Sequence, residues 1–134
     1  MNTDKVIALI DKLANETKGN ELLWSRLCNI KENNDSNLMI DYFINEIEDT
    51  EDANVDQVDS YYVAYKGGLV FLFYIKDIFM DVGYYKLALQ KDTISKLTSL
   101  NKQDKHKSEL MRLQYLIEEQ LNNTDDYLDS LLDD

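Results

Sequence analysis

Leu69-Val70-Phe71-Leu72-Phe73-Tyr74-Ile75 is a run of seven apolar residues, mostly aromatic or β-branched, entered through Gly67-Gly68. A run of that length and composition is the pattern of a β-strand covered on both faces. Upstream, Tyr61 to Tyr65 reads as its hairpin partner, with Gly67-Gly68 supplying the positive φ values of a two-residue turn. That turn puts Tyr61, Val63 and Tyr65 on one face with Val70, Leu72 and Tyr74. Ala64, Leu69, Phe71 and Phe73 take the other. Downstream, Tyr84 to Gln90 reads as a third strand, with Tyr85, Leu87 and Leu89 inward and Lys86 and Gln90 facing water. The expected fold class is α+β: a three-stranded antiparallel β-meander packed by N- and C-terminal helices. A sheet so small needs helices against it to be stable.

The flanks supply such helices. Thr3 to Lys18 carries an apolar stripe of Val6, Ile7, Ile10, Leu13 and Ala14, with Asp4 near its start and Gly19 in place for a left-handed end. Asn20 can cap a short second helix holding Leu22, Leu23, Trp24 and Leu27, with Trp24 as a core anchor. Leu38 to Ile47 has mixed spacing that favours helix but permits strand, and Glu48 to Asp59 reads as a solvated acidic connection. Asp92 to Leu100 reads as a short helix. Ser108 is placed to cap Glu109 to Leu121, whose Leu110, Leu113, Ile117 and Leu121 point inward. Thr124 opens a last helix with an apolar face of Tyr127, Leu128, Leu131 and Leu132.

The 134 residues are expected to form a single domain, residues 1–134, with an acidic insertion at about 33–59 and a helical tail at 124–134. One cysteine, Cys28, cannot make an internal disulfide and reads as a small buried hydrophobe. The start lacks a basic leader and no apolar run approaches the roughly 20 residues that span a bilayer, so a cytoplasmic location is expected. Fourteen basic residues stand against 26 acidic ones, a net charge of -12. Such a field repels phosphate backbones and anionic lipid, which argues against direct nucleic-acid or membrane binding. The charge is segregated: Glu32 to Asp59 holds ten carboxylates and no Lys or Arg, and Glu118 to Asp134 holds seven more. Between Lys91 and Arg112 the sign reverses, six basic against three acidic.

Three stretches taken together carry a resemblance: Val6 to Trp24, the run Tyr61-Tyr62-Val63-Ala64-Tyr65-Lys66-Gly67-Gly68, and the ending Leu110-Met111-Arg112-Leu113-Gln114-Tyr115-Leu116-Ile117. With the acidic tail from Thr124 to Asp134 they resemble a loose group of short, acidic, uncharacterised proteins of low-GC Gram-positive bacteria, their phages and mobile elements. The resemblance implies a helix, meander, helix fold and a mobile-element setting. It brings no catalytic residue, and residues 33–59 fall outside it.

Little in the chain points to a reaction. His106 is the only histidine, so no two-histidine metal site exists within one chain, and neither G-x-x-x-x-G-K nor G-x-G-x-x-G occurs. Aligning Asp52, Asn54 and Asp56 with a helix-loop-helix calcium loop puts Gln57 where Gly is required and Val63 where a bidentate Glu is required. The expectation is a non-enzymatic protein with no cofactor and no metal site. It would bind proteins as an inhibitor or adaptor, a phage or mobile-element factor that blocks a host defence effector or another nucleic-acid-binding protein. Its partner would present an electropositive surface, met by Glu46, Glu48, Asp49, Glu51, Asp52 and Asp56 with Phe79 and Met80 as apolar anchors. A different class is a small-ligand domain, sensing or sequestering a nucleotide or metabolite in a pocket lined by Tyr62, Phe73 and Tyr85. A third is a structural protein that dimerises through its C-terminal helix.

Overall fold

A computed structural model describes residues 3–30, 53–77, 82–91, 97–101 and 105–133, the last including 124–127 as backbone only. The acidic positions Glu46, Glu48, Asp49, Glu51 and Asp52, the anchors Phe79 and Met80, and the segment Leu38 to Ile47 lie outside the described residues. The described chain runs α1 (Thr3–Lys18), β1 (Ser25–Arg26), a 3-10 turn (Leu27–Asn29), β2 (Ala53–Tyr65), β3 (Gly68–Asp77), β4 (Gly83–Gln90), β5 (Thr98–Ser99), α2 (Lys107–Asn122) and α3 (Thr124–Leu132). The strands make one antiparallel sheet in the order β1-β2-β3-β4-β5. The fold is α+β with helices at both ends, as expected, but the sheet has five strands rather than three. The two extra strands are edges of two residues each, too short to show an alternation in the sequence.

The central strand is covered on both faces. Val70, Phe71, Leu72, Phe73 and Ile75 are all buried. One face carries Tyr61, Val63, Val70, Leu72 and Leu87 against Val6, Ile10, Leu13 and Ala14 of α1 and Leu110, Leu113 and Ile117 of α2. The other holds Val55, Tyr62, Phe71, Phe73, Ile75 and Ala88 with Leu27 and Ile30 of the 3-10 turn, and Leu97 packs against it. Rings stack along that second face, Tyr62 on Phe71 at 6.3 Å and Phe71 on Phe73 at 5.2 Å between centroids.

The hairpin turn sits one residue earlier than expected. Tyr65 pairs with Gly68, so the turn residues are Lys66 (φ 50°) and Gly67 (φ 86°). Moving a two-residue loop by one position slides the register by two, so the face assignment is unchanged. Gly68 is instead a place of close approach: a Cβ there would lie 2.7 Å from the carbonyl oxygen of Gln90.

Residues 53–59, expected as loop, extend β2 across a bulge. Asp56 opposes Tyr74 and Tyr61 opposes Leu72, so four residues of β2 face the single residue Phe73. The Asp56 carboxylate accepts the backbone N–H groups of Val58 and Asp59, both at 3.0 Å, and the Ser60 hydroxyl accepts the Tyr74 N–H at 2.8 Å. The bulge also reverses the parity of β2. Val55 faces the Phe71 side, whereas Tyr61 and Val63 face α1 and α2.

Lys86 and Gln90 do not face water; both are 1% exposed. Asn101 closes the chain over Lys86. Its Oδ1 accepts the Leu87 N–H at 2.7 Å, its Nδ2 donates to the Tyr85 carbonyl at 3.1 Å, and its own carbonyl accepts Lys86 Nζ at 3.0 Å. Other local expectations shift as well. Thr98–Ser99 is strand rather than the end of a helix, because it pairs with Leu89 and Ala88. Residues 22–26 form no helix, Leu27 instead opening the 3-10 turn, and Leu23 is exposed while Trp24 is buried. Cys28 is exposed, since Leu27 and Ile30 take the inward positions of its turn. The left-handed residue closing α1 is Asn20 (φ 58°) rather than Gly19, and α2 begins at Lys107 behind a left-handed His106.

Candidate functional site

Tyr74 of β3 and Tyr85 of β4 are direct cross-strand partners, their rings 4.9 Å apart and tilted at 46°. They stand beside a gap in the side-chain layer. Gly83 opposes Lys76, and a Cβ on Gly83 would fall 2.5 Å from the Tyr74 ring, so only glycine leaves that ring its place. The other wall comes from α2, where Lys107, Met111 and Gln114 recur at helical spacing. Asp59 reaches the same space from the β2 bulge. Together with Lys76 and Tyr84 these residues line an open groove of about 590 Å³, within the size range of small-molecule sites.

A polar network braces the groove from behind. Gln114 Nε2 donates to the Tyr61 hydroxyl at 3.3 Å, and that hydroxyl in turn donates to Glu118 Oε1. Arg26 grips Glu118 with both prongs of its guanidinium, Nη1 to Oε1 at 2.9 Å and Nη2 to Oε2 at 3.0 Å. The same Nη1 donates to the Val58 carbonyl at 2.8 Å. The bulge that presents Asp59 is thus held by Asp56 from within and by Arg26 from without.

The titrating groups follow from these contacts. Hydrogen bonding from Arg26 holds the Glu118 carboxyl below its ordinary range, against the opposing effect of its burial. Burial, aided by the neighbouring Glu118 carboxylate, pushes the Tyr61 phenol up to about 12. Burial also raises Tyr85 well above an ordinary phenol, with the charges of the Tyr61, Asp59 and Tyr74 groups adding to it. Asp56 is lowered, first by the Asp59 N–H and also by Lys76, whose ammonium lies 3.0 Å away.

Of the residues expected to contact a protein partner, Asp56 alone is described, and its carboxylate is engaged by Val58, Asp59 and Lys76. Of the three expected to line a ligand pocket, Tyr62 and Phe73 belong to one face of the sheet and Tyr85 to the other. The alternation of strand side chains separates them, so they line no common pocket; Tyr85 alone reaches the groove. Tyr74, Lys76, Asp59, Lys107, Met111 and Gln114 were not singled out by sequence. The signal for Tyr74 was present, since pairing β3 with β4 sets it beside Tyr85. Asp59 carried no such signal, because its position depends on the bulge.

Among the described residues, no group of three or more His, Cys, Asp or Glu side chains converges to hold a metal ion, and no helix is long and apolar enough to cross a membrane. No protein-family model matches the chain, nor does any curated protein or solved structure.

Proposed function

We propose that this chain is a non-enzymatic binding protein that recognises a small organic ligand in the groove between Tyr74, Tyr85 and α2. One observation carries the reading. Lys107 Nζ, Gln114 Oε1 and the hydroxyls of Tyr74 and Tyr85 have no hydrogen-bond partner among the described residues, yet all four side chains line one groove. Unused hydrogen-bonding capacity on a braced frame with two aromatic rings suits recognition of a ligand with an apolar body and a few polar groups. The side chains offer no base beside a nucleophile, so recognition fits them better than turnover.

The test is thermal unfolding against a panel of nucleotides and metabolites. A true ligand stabilises by mass action, about 2.7 kcal/mol at a hundredfold excess over Kd. The rise should vanish in Met111→Trp, which fills the groove from a half-exposed position. A panel that shifts nothing, or a shift that survives this substitution, would contradict the reading.

A second reading is supported by the net charge of -12 and its segregation. In it the acidic exterior docks on an electropositive protein, as a phage or mobile-element inhibitor of a host defence effector would. Replacing Glu46, Glu48, Asp49, Glu51 and Asp52 by Gln and Asn should then weaken capture of that partner and flatten its salt dependence. Unchanged capture would count against it. The exposure of Leu128, Leu131 and Leu132 on α3 supports the dimer expectation. Its test is the sedimentation of a chain ending at Asn123, which should be monomeric if the intact protein is a dimer.

A further inference from the structure

We infer that the ligand of this groove is a zwitterion with a flat aromatic body, of the class of the free aromatic amino acids, its ammonium set against Asp59 and its carboxylate against Lys107. This ligand class rests on the groove reading above and deepens it.

Three charged side chains line the groove: Asp59, Lys76 and Lys107. Lys76 is committed within the chain. Its ammonium bonds Asp56 at 3.0 Å and lies 5.8 Å from the centre of the Tyr74 ring. That leaves one carboxylate and one ammonium, half-buried Asp59 on the β2 bulge and exposed Lys107 on α2. Neither makes an ion pair among the described residues, with each other or with any other group. The Asp59 charge nevertheless acts on the Tyr85 phenol, which places it beside the aromatic wall. A ligand lying in the groove takes water from both charges. An uncharged body would leave both without a partner, an anion would leave Asp59 so, and a cation Lys107. A ligand with one charge of each sign answers both. Its zero net charge also spares it the long-range repulsion that an anion meets from a chain of net charge -12.

The body of the ligand follows from the tyrosines. The Tyr74 and Tyr85 rings, 4.9 Å apart and tilted at 46°, form an aromatic wall that a flat ring can lie on or meet edge-on. From α2, Met111 lines the same groove at 49% exposure and offers its thioether to an aromatic edge. Gln114 spends its Nε2 on Tyr61, leaving Oε1 to accept a proton from the ligand. An ammonium carries three N–H donors and needs more than one acceptor, so the Gln114 oxygen complements the Asp59 carboxylate.

The experiment is an NMR titration of the intact chain, following the Met111 methyl signal, with three probes that share one ring system. L-Tryptophan carries both charges, tryptamine lacks the carboxylate, and indole-3-propionate lacks the ammonium. Tryptophan should perturb Met111 saturably and bind about tenfold or more tighter than either, the size of one charge-assisted hydrogen bond. Asp59→Asn should erase its preference over indole-3-propionate. Lys107→Met, at an exposed helix position, should erase its preference over tryptamine. Equal or tighter binding of either singly charged probe at Met111, or a preference that survives the matching substitution, overturns the zwitterion and leaves the groove reading standing. If none of the three moves the Met111 signal the zwitterion falls, and the groove reading is decided separately by the thermal panel above.

Discussion

Asn101 does the work of a short strand with one side chain. Where β5 ends, its amide continues the pairing with β4, taking the Leu87 N–H and giving to the Tyr85 carbonyl, and it also donates to the Lys105 carbonyl at 3.3 Å. Asn101→Ala leaves the Leu87 N–H buried without that acceptor and should cost about 2–3 kcal/mol in denaturant unfolding. A loss below ~0.5 kcal/mol would mean that backbone or water replaces the amide. Glu118 gives a pH-dependent counterpart. Its carboxyl is lowered by Arg26 in the folded state, so its contribution is present above the unfolded carboxyl range and lost as pH falls through the folded value. Tyr61 acts at the other limb: its phenol is raised to about 12, so its share is present below the ordinary 10.0 and lost as pH climbs through about 12. Glu118→Gln should lower stability at neutral pH by about 1–2 kcal/mol and flatten the acid limb as pH falls below the ordinary carboxyl range. An unchanged acid limb would remove the Arg26–Glu118 pair from the account.

At the scale of elements, the hairpin turn and the β2 bulge decide what the sheet presents. With the turn at Lys66-Gly67, Gly68→Ala drives a methyl into the Gln90 carbonyl, whereas Gly67→Ala meets no atom within 4 Å and bears only the strain of a positive φ. Gly67→Ala should cost about 1 kcal/mol and Gly68→Ala clearly more, about 2–4 kcal/mol for an overpacked site that must shift backbone. The reverse order would put the turn back at Gly67-Gly68. The central strand, its hairpin partner and both terminal helices were legible because each carries a long, single-period apolar pattern: Val70 to Ile75, Val6 to Ala14, Leu110 to Ile117. Residues 53–59 were not, because the bulge reverses the strand's parity and polar Asp56 and Ser60 are satisfied by backbone groups no pattern reveals. Lys86 and Gln90 misled for a related reason. Alternation assigns polar residues to water, but here the second face is also interior and Lys86 reaches the Asn101 carbonyl and Ser99 hydroxyl instead. The groove inherits both effects, since Asp59 needs the bulge and Lys107 needs a helix that starts ahead of Ser108, at Lys107 rather than Glu109.

Over the whole molecule, an excess of twelve negative charges opposes compaction, while the described ion pairs Arg26–Glu118, Lys76–Asp56 and Arg112–Asp11 offset only part of it. Salt screens the long-range repulsion more than it weakens short, partly buried pairs. The melting temperature should therefore rise between about 10 and 150 mM ionic strength. A fall over that range would mean that exposed attractive pairs dominate. Against this negative field, the proposed ligand site is the groove walled by the paired rings of Tyr74 and Tyr85 and edged by Lys107, Met111 and Gln114. The most direct test of that claim is intermolecular NOE spectroscopy on the intact protein with whichever compound stabilises it in the thermal panel. The account predicts contacts from the ligand ring to the Tyr74 and Tyr85 ring protons and to the Met111 methyl. A ligand that stabilises the protein but shows its contacts elsewhere, with none to these three residues, would contradict it.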